Sequence, residues 1–366
     1  MSLTVCCAFG AAAEVRASGI PVQSPVIARL MEAKQIVNVH EHIQGAENAG
    51  EILQYMDTHG IGKTILLGSS WFTISLYERA GFTRYDDNNA ALMKLVADYP
   101  GRFEAWPTLN PTDSEALAKI TALIEQGATG IKLYLGHGYR SRYRNEYLLH
   151  PMSMDDPRMD PIYAFLEERG VPVCFHVNPA MPGFAEEFIA VLTKYPDLKV
   201  NAPHFLLSAG APPRLEEFLR VFPNLYVDIS FGHDDFLKDG LRRISRRADW
   251  VRGIVNAYPD RFMFGTDFVV TSFRPKPPDW YDTRIQAYYD LLSQTAFSTS
   301  LLPGENLTGL HLDDDVIERI MHRNYETFAA SKPENTVLKA PVDWDKMWLR
   351  RTGRSDGQVL PPPAQR

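Results

Sequence analysis

Residues Ile36–Ile43 read IVNVHEHI, an apolar run that ends in a His-x-His pair. Successive side chains of an extended strand point to opposite faces, so His40 and His42 share a face where the strand runs out. Two neutral imidazoles held this way supply half of a divalent metal site. The other reading is a strand that simply carries two histidines at its exposed end. If the pair binds metal, its remaining partners must come from elsewhere, and three metal-competent residues end later apolar runs. His176 closes PVCFH, His204 closes KVNAPH, and Asp267 closes RFMFGTD. The chain has ten histidines, and the four on predicted strands all fall at C-terminal ends. Random placement seldom does that.

The runs that must position these residues alternate with helical patterns. Strands are predicted at Ile36–Ile43, Lys63–Gly68, Arg102–Thr108, Gly130–Tyr134, Pro172–His176, Lys199–His204, Leu225–Ile229 and Arg261–Asp267. Helices are predicted near Asn48–Thr58, Asn88–Tyr99, Asp113–Gln126, Pro161–Arg169, Ala185–Lys194, Arg214–Val221, Asp239–Ala257, Asp282–Gln294 and Asp314–Ala330. Short strands each followed by a helix indicate a parallel α/β fold. Interiors such as TILLG and PVCFH are almost wholly apolar, as expected of strands buried on both faces. Eight such units favour a closed (β/α)8 TIM barrel over an open doubly wound sheet. No Gly-x-Gly-x-x-Gly follows the first strand, which removes the dinucleotide-binding fingerprint. In a barrel, chemistry sits at the C-terminal ends of the strands, where the histidines and Asp267 fall. One barrel domain, 35–331, is expected between an N-terminal extension, 1–34, and a C-terminal segment, 332–366, with a Pro-rich tail.

Bulk properties narrow the function classes. Of 366 residues, 45% are hydrophobic and 23% charged, enough apolar material for one large core. A net charge of −7 argues against a nucleic-acid surface, and no stretch has the roughly 20 apolar residues of a membrane span. Three cysteines, Cys6, Cys7 and Cys174, do not make a disulfide framework. Leu3–Ala13 is apolar with small residues at its end but lacks a preceding Lys or Arg. A cytoplasmic protein is therefore expected, or a periplasmic or secreted one if that stretch is the remnant of a signal.

With these residues in view, the chain resembles the amidohydrolase superfamily: His-x-His on the first strand, His ending the fifth and sixth, Asp ending the eighth. The wording NVHEHI, GIKLY, CFHVNP, LYVDIS, FMFGTDF and HRNYETF is closest to its amidohydrolase-related branch, over roughly Gln35 to Ala330. That branch holds hydrolases, lactonases, hydratases and decarboxylases, including aminocarboxymuconate-semialdehyde decarboxylase. The resemblance implies one divalent ion, zinc by expectation and manganese as the alternative, held by His40, His42, His176 and Asp267. It implies that Asp267 takes a proton from bound water and later passes it to a leaving group. His204 is expected to act as a base or electrophile beside the ion. Lys132, in GIKLY, would bridge a second ion if carboxylated, but an interior lysine paired with a carboxylate such as Asp228 is the expected reading. The expected activity is metal-dependent hydrolysis of an amide, ester or lactone, with non-oxidative decarboxylation or hydration of an unsaturated or aromatic acid as the alternative. Kinship also allows a homodimer.

Other residues keep two readings. Cys174 is expected to be a small buried hydrophobe. Glu41 points away from its flanking histidines, and Asp228 and Ser230 either touch substrate or make structural hydrogen bonds. Long loops follow the second, fourth and eighth strands (Ser69–Asp87, Gly136–Met159 and Val269–Tyr281), and loops of this length are commonly functional. They carry Trp71, Tyr139, Arg140 and Arg142. Aromatic faces with interleaved arginines suit a small carboxylated substrate gripped by guanidinium.

Overall fold

The computed structural model describes residues 22–74, 81–139, 147–181, 183–232, 234–331, 336, 338 and 340–348. Its strands are β1 (Ile36–Ile43), β2 (Ile61–Gly68), β3 (Phe103–Trp106), β4 (Thr108–Leu109), β5 (Ile131–Leu133), β6 (His137–Tyr139), β7 (Tyr147–Leu149), β8 (Val173–Phe175), β9 (Val200–Ala202), β10 (Leu225–Asp228), β11 (Phe262–Met263), β12 (Ala296–Phe297) and β13 (Leu307–Thr308). Parallel pairing runs β1-β2-β3 in one ladder and β4-β5-β8-β9-β10-β11 in another. Pro107 alone separates β3 from β4. It has no N–H to give a ladder, but its carbonyl accepts Lys132 N at 2.8 Å, so the two short strands form one stave. The last seam joins first strand to last: Val39 N donates to Phe264 O at 2.9 Å and Asp267 N to His40 O at 2.7 Å. Eight staves therefore close into a (β/α)8 barrel.

Residue phase explains the packing. Leu66, Phe103, Ile131, Phe175 and Phe262 belong to the core between sheet and helices. Ile65, Leu67, Trp106, Cys174 and Met263 join Val37 and Val39 in a separate cluster, with Tyr325 and Phe328 of the helix Asn324–Ala330. That cluster fills the barrel interior and leaves the C-terminal mouth to polar side chains. Asn324 ties the same helix to the barrel by donating to Pro259 O and Phe262 O at 2.8 Å each.

Several expected elements differ in extent. The helix expected over Asp239–Ala257 is two helices, Asp234–Ser245 and Ala248–Ala257. The loop expected after the fourth strand contains the antiparallel pair β6 and β7. The sixth and eighth barrel strands end short of His204 and Asp267, because the chain turns left-handed there. No helix among the described residues is long and apolar enough to cross a membrane.

Lys199, just before β9, is 6% exposed and donates to Phe328 O, Ala329 O and Ser331 O at 3.0–3.1 Å. It satisfies carbonyls at the end of the last barrel helix, where no intrahelical partner exists. Lys199→Met strands these acceptors, and urea unfolding should show a loss of about 1–3 kcal/mol with an unchanged denaturant slope. Wild-type stability would remove this anchoring role.

Candidate metal centre

His40 and His42 share the inner face of β1, but the strand carrying them is bulged. Asn38 pairs with Thr64 and Glu41 with Leu66, so three steps on β1 span two on β2. The extra residue re-phases the strand. Val37 and Val39 can then fill the apolar interior while His40 and His42 also turn inward.

Hydrogen bonds fix the tautomer of three imidazoles. His40 Nδ1 lies 2.9 Å from Asp228 Oδ2, His42 Nδ1 2.6 Å from Gly68 O, and His204 Nδ1 2.9 Å from Ser230 O. A carboxylate or carbonyl oxygen can only accept, so each Nδ1 carries the proton and each Nε2 presents a lone pair. His40 Nε2 and His42 Nε2 are nevertheless 3.1 Å apart. Asp267 Oδ1 stands 3.1 Å from His42 Nε2 and 3.5 Å from His40 Nε2. Three electron-rich atoms packed this closely repel one another unless a cation lies among them. The donor set therefore fits a divalent ion held by His40, His42 and Asp267, all within 4.8 Å of one another. His40, His204 and Asp228 also cluster within 4.8 Å. In that second group, however, Asp228 already accepts from His40, Asn201, Ser230 and the His204 amide.

Electrostatics agree with neutral imidazoles. Burial, then the charge of Lys132, lowers His40 to about 4 against the pull of Asp228 and Asp267. Burial likewise depresses His42 and His176. For Asp267 and Asp228 burial works upward, but the surrounding histidines outweigh it and hold both carboxyls below the usual carboxylate range.

Asp267 reaches the centre through a left-handed backbone, φ 58°. Gly232 makes room for it: a Cβ there would lie 2.7 Å from Asp267 Oδ2. His204 opens a run of four left-handed residues, His204 to Leu207, with φ from 62° to 48°. Asp228 Oδ1 accepts the His204 amide at 3.1 Å, and Leu207 N returns to His204 O at 2.8 Å. This turn brings His204 Nε2 to 3.6 Å from Asp267 Oδ2, the oxygen pointing away from His42. Phe236 meets the His204 ring edge-on at 5.3 Å and is 38% exposed.

His176 stands at the same mouth, half-buried, with its ring 5.0 Å from that of His204. It is not one of the three ligands that cluster most tightly. His137, at the start of β6, packs 4.0 Å from the His176 ring and is held at about 3 by burial and then by Lys132. In the sequence His137 falls within the Gly136–Met159 loop. The available signal was its position just past a strand end, in LGHGY.

Lys132 is fully buried on β5, 3.2 Å from Cys174 Sγ, 3.4 Å from His40 Nε2 and 4.7 Å from the Tyr134 ring centre. The expected pairing with Asp228 is not what these contacts describe: Asp228 faces His40 from the Nδ1 side, and Lys132 approaches from Nε2. Burial pushes the Cys174 thiol up to about 12, which suits a packed thiol rather than a ligand. Asp228 and Ser230 serve hydrogen bonds that orient His40 and His204. Trp71 lies in the helix Ser70–Thr73 and Tyr139 in β6, while Arg140 and Arg142 lie outside the described residues.

Fold and site together describe a TIM barrel with a metal-competent group at its catalytic mouth. The chain belongs to the amidohydrolase family, whose model matches residues 75–326. That match begins after β1, so the His40–His42 pair lies upstream of it. Similar solved structures include an uncharacterised TIM-barrel protein from Bordetella bronchiseptica (20% identity, TM-score 0.53, 81% of this chain and 99% of that one). A 2,6-dihydroxybenzoate decarboxylase from Rhizobium matches at 16% identity, TM-score 0.51, over 81% and 98%. A dihydroxybenzoic acid decarboxylase from Polaromonas sp. JS666, with bound manganese and 2-nitroresorcinol, matches at 15%, TM-score 0.51, over 81% and 96%. At these identities the likenesses establish the barrel. No curated protein sequence matches the chain.

Metal-free protein provides a pH test. Between about 4 and 6.5 the unfolded chain binds protons that folded His40 and His137 refuse, which outweigh the one that buried Glu41 takes up, so stability rises with pH across this window. Thermal midpoints of chelator-treated protein should fall from pH 7 to pH 4.5, and a flat profile would contradict neutral buried imidazoles.

Proposed function

We propose that the protein is a metal-dependent, non-oxidative decarboxylase of a small hydroxylated aromatic or otherwise unsaturated carboxylic acid. The observation that carries this reading is the two-sided use of Asp267: one oxygen faces His40 and His42, the other faces His204. His40, His42 and Asp267 would hold the ion, with His176 nearby on the same rim. When bound, a divalent ion supplies Lewis acidity to substrate oxygens. With no thiolate in the set, zinc and manganese both suit it. The manganese in the Polaromonas structure makes that ion the first to test.

The remaining chemistry falls to the chain's own side chains. His204, with Nδ1 committed to Ser230 O, has Nε2 free to exchange a proton with Asp267. That couple would first accept the proton of the substrate's ring hydroxyl and then deliver it to the ring carbon bearing the carboxylate. The carbon–carbon bond then breaks, its electron pair stays with the ring, and carbon dioxide leaves. The exposed Phe236 ring beside His204 offers a flat apolar wall to such a substrate. Hydrolysis, the expectation drawn from the superfamily, uses the same ligands. It receives less support, because the named activities among the structural matches reported above are decarboxylations and the wall suits a planar acid.

Metal-loaded protein should release carbon dioxide from members of a hydroxybenzoate panel and leave a lactone and ester panel intact. Asp267→Asn and His204→Ala should each lower kcat by about 10²–10⁴ without loss of fold. Lactone hydrolysis with no carbon dioxide from any acid would reverse the assignment.

A further inference from the structure

Glu41 is fully buried between the two histidines of β1, yet its carboxylate faces the seam between the barrel's first and last staves. Its four hydrogen bonds are unevenly placed. Oε1 accepts from His42 N at 3.0 Å and from Val269 N at 3.1 Å. Oε2 accepts from Thr266 Oγ1 at 2.7 Å and from Tyr55 OH at 2.8 Å. Thr266 and Val269 bracket Asp267, and Asp267 and Val269 both have left-handed backbones, φ 58° and 55°. Val269 is β-branched, a poor residue for that region. Bare seam packing would not require a carboxylate here, since an apolar side chain would avoid the cost of burying a charge. A single acceptor group thus grips the His42 amide on one side and both flanks of Asp267 on the other.

From this arrangement we infer that Glu41 is a positioning residue for the metal centre. It clips the closing segment Thr266–Val269 to β1 and holds Asp267 in the left-handed conformation that aims one oxygen at His42 and the other at His204. Tyr55, from the helix Ala49–Thr58, completes the carboxylate's shell through its hydroxyl, while its ring packs edge-on against Phe268 at 6.0 Å, a contact that phenylalanine would keep. The inference rests on His40, His42 and Asp267 being the ligands, and it leaves the reaction open.

The test measures Mn(II) and Zn(II) affinity by chelator competition on the full chain, with thermal unfolding in parallel and no substrate present. Orienting partners of metal ligands are worth about 10–100-fold in affinity. Glu41→Ala should therefore weaken binding at least tenfold. Glu41→Gln, which keeps an acceptor for the two amides, should remain within a few-fold of wild type. Tyr55→Phe should leave affinity unchanged. Should Glu41→Ala not fold, Thr266→Val removes at constant shape the hydroxyl that donates to Glu41 Oε2 and accepts from Asn38 Nδ2, and should itself weaken binding. Wild-type affinity in folded Glu41→Ala or in Thr266→Val, or an equal loss in Tyr55→Phe, would overturn the clip. A wild-type chain that binds neither ion would instead remove the ligand assignment beneath it.

Discussion

Repulsion between aligned lone pairs is the constraint from which the rest of the site follows. With Nδ1–H of His40, His42 and His204 each spent on an oxygen, the opposite nitrogens have only electron density to present. Bringing two of them to 3.1 Å and adding a carboxylate oxygen makes an arrangement stable only around positive charge. Lys132, buried 3.4 Å from His40 Nε2, places an ammonium beside that density. The outer partners are therefore as much a part of the centre as the ligands. Asp228 illustrates this by orienting His40 through one oxygen and the His204 backbone through the other.

The barrel architecture and most of the mouth were legible in the residues. Nearly continuous apolar runs separated by helical patterns gave eight staves in the right order, and the histidines at strand ends do converge on one rim. The bulge in β1 was not legible, because nothing local in NVHEHI marks an extra residue. It becomes necessary only when β2 is laid beside it. The hydrogen-bonding direction of Lys132 was equally hidden: strand phase predicts that it points inward, but not which side of His40 it meets. His137 escaped for a different reason. It follows β5 by a Gly136 turn, so its approach to His176 depends on the β6–β7 pairing rather than on any strand-end rule. Arg140 and Arg142, expected to grip a substrate carboxylate, fall outside the described residues, and the proposed substrate draws instead on Phe236 and Asp267.

The fold and the chemistry meet at the barrel seam. A (β/α)8 barrel must join its last strand to its first, and here that joint is made by backbone bonds from Asp267 and Val270 to the β1 carbonyls of His40 and His42. The closure that completes the sheet thus also brings the carboxylate to the imidazoles. Loosening one would loosen the other, and this coupling explains why so many polar groups are buried along a single joint.

The left-handed run from His204 to Leu207 has an energetic corollary. Each non-glycine residue in that region costs roughly 1–2 kcal/mol, so four in succession cannot form on local preference alone. They need the Asp228 carboxylate already in place to receive the His204 amide. That condition is met only where β9 and β10 are paired. The His204 turn is therefore energetically subordinate to the sheet: it persists only while the staves hold Asp228 in place, and any loosening between them is felt first at this histidine.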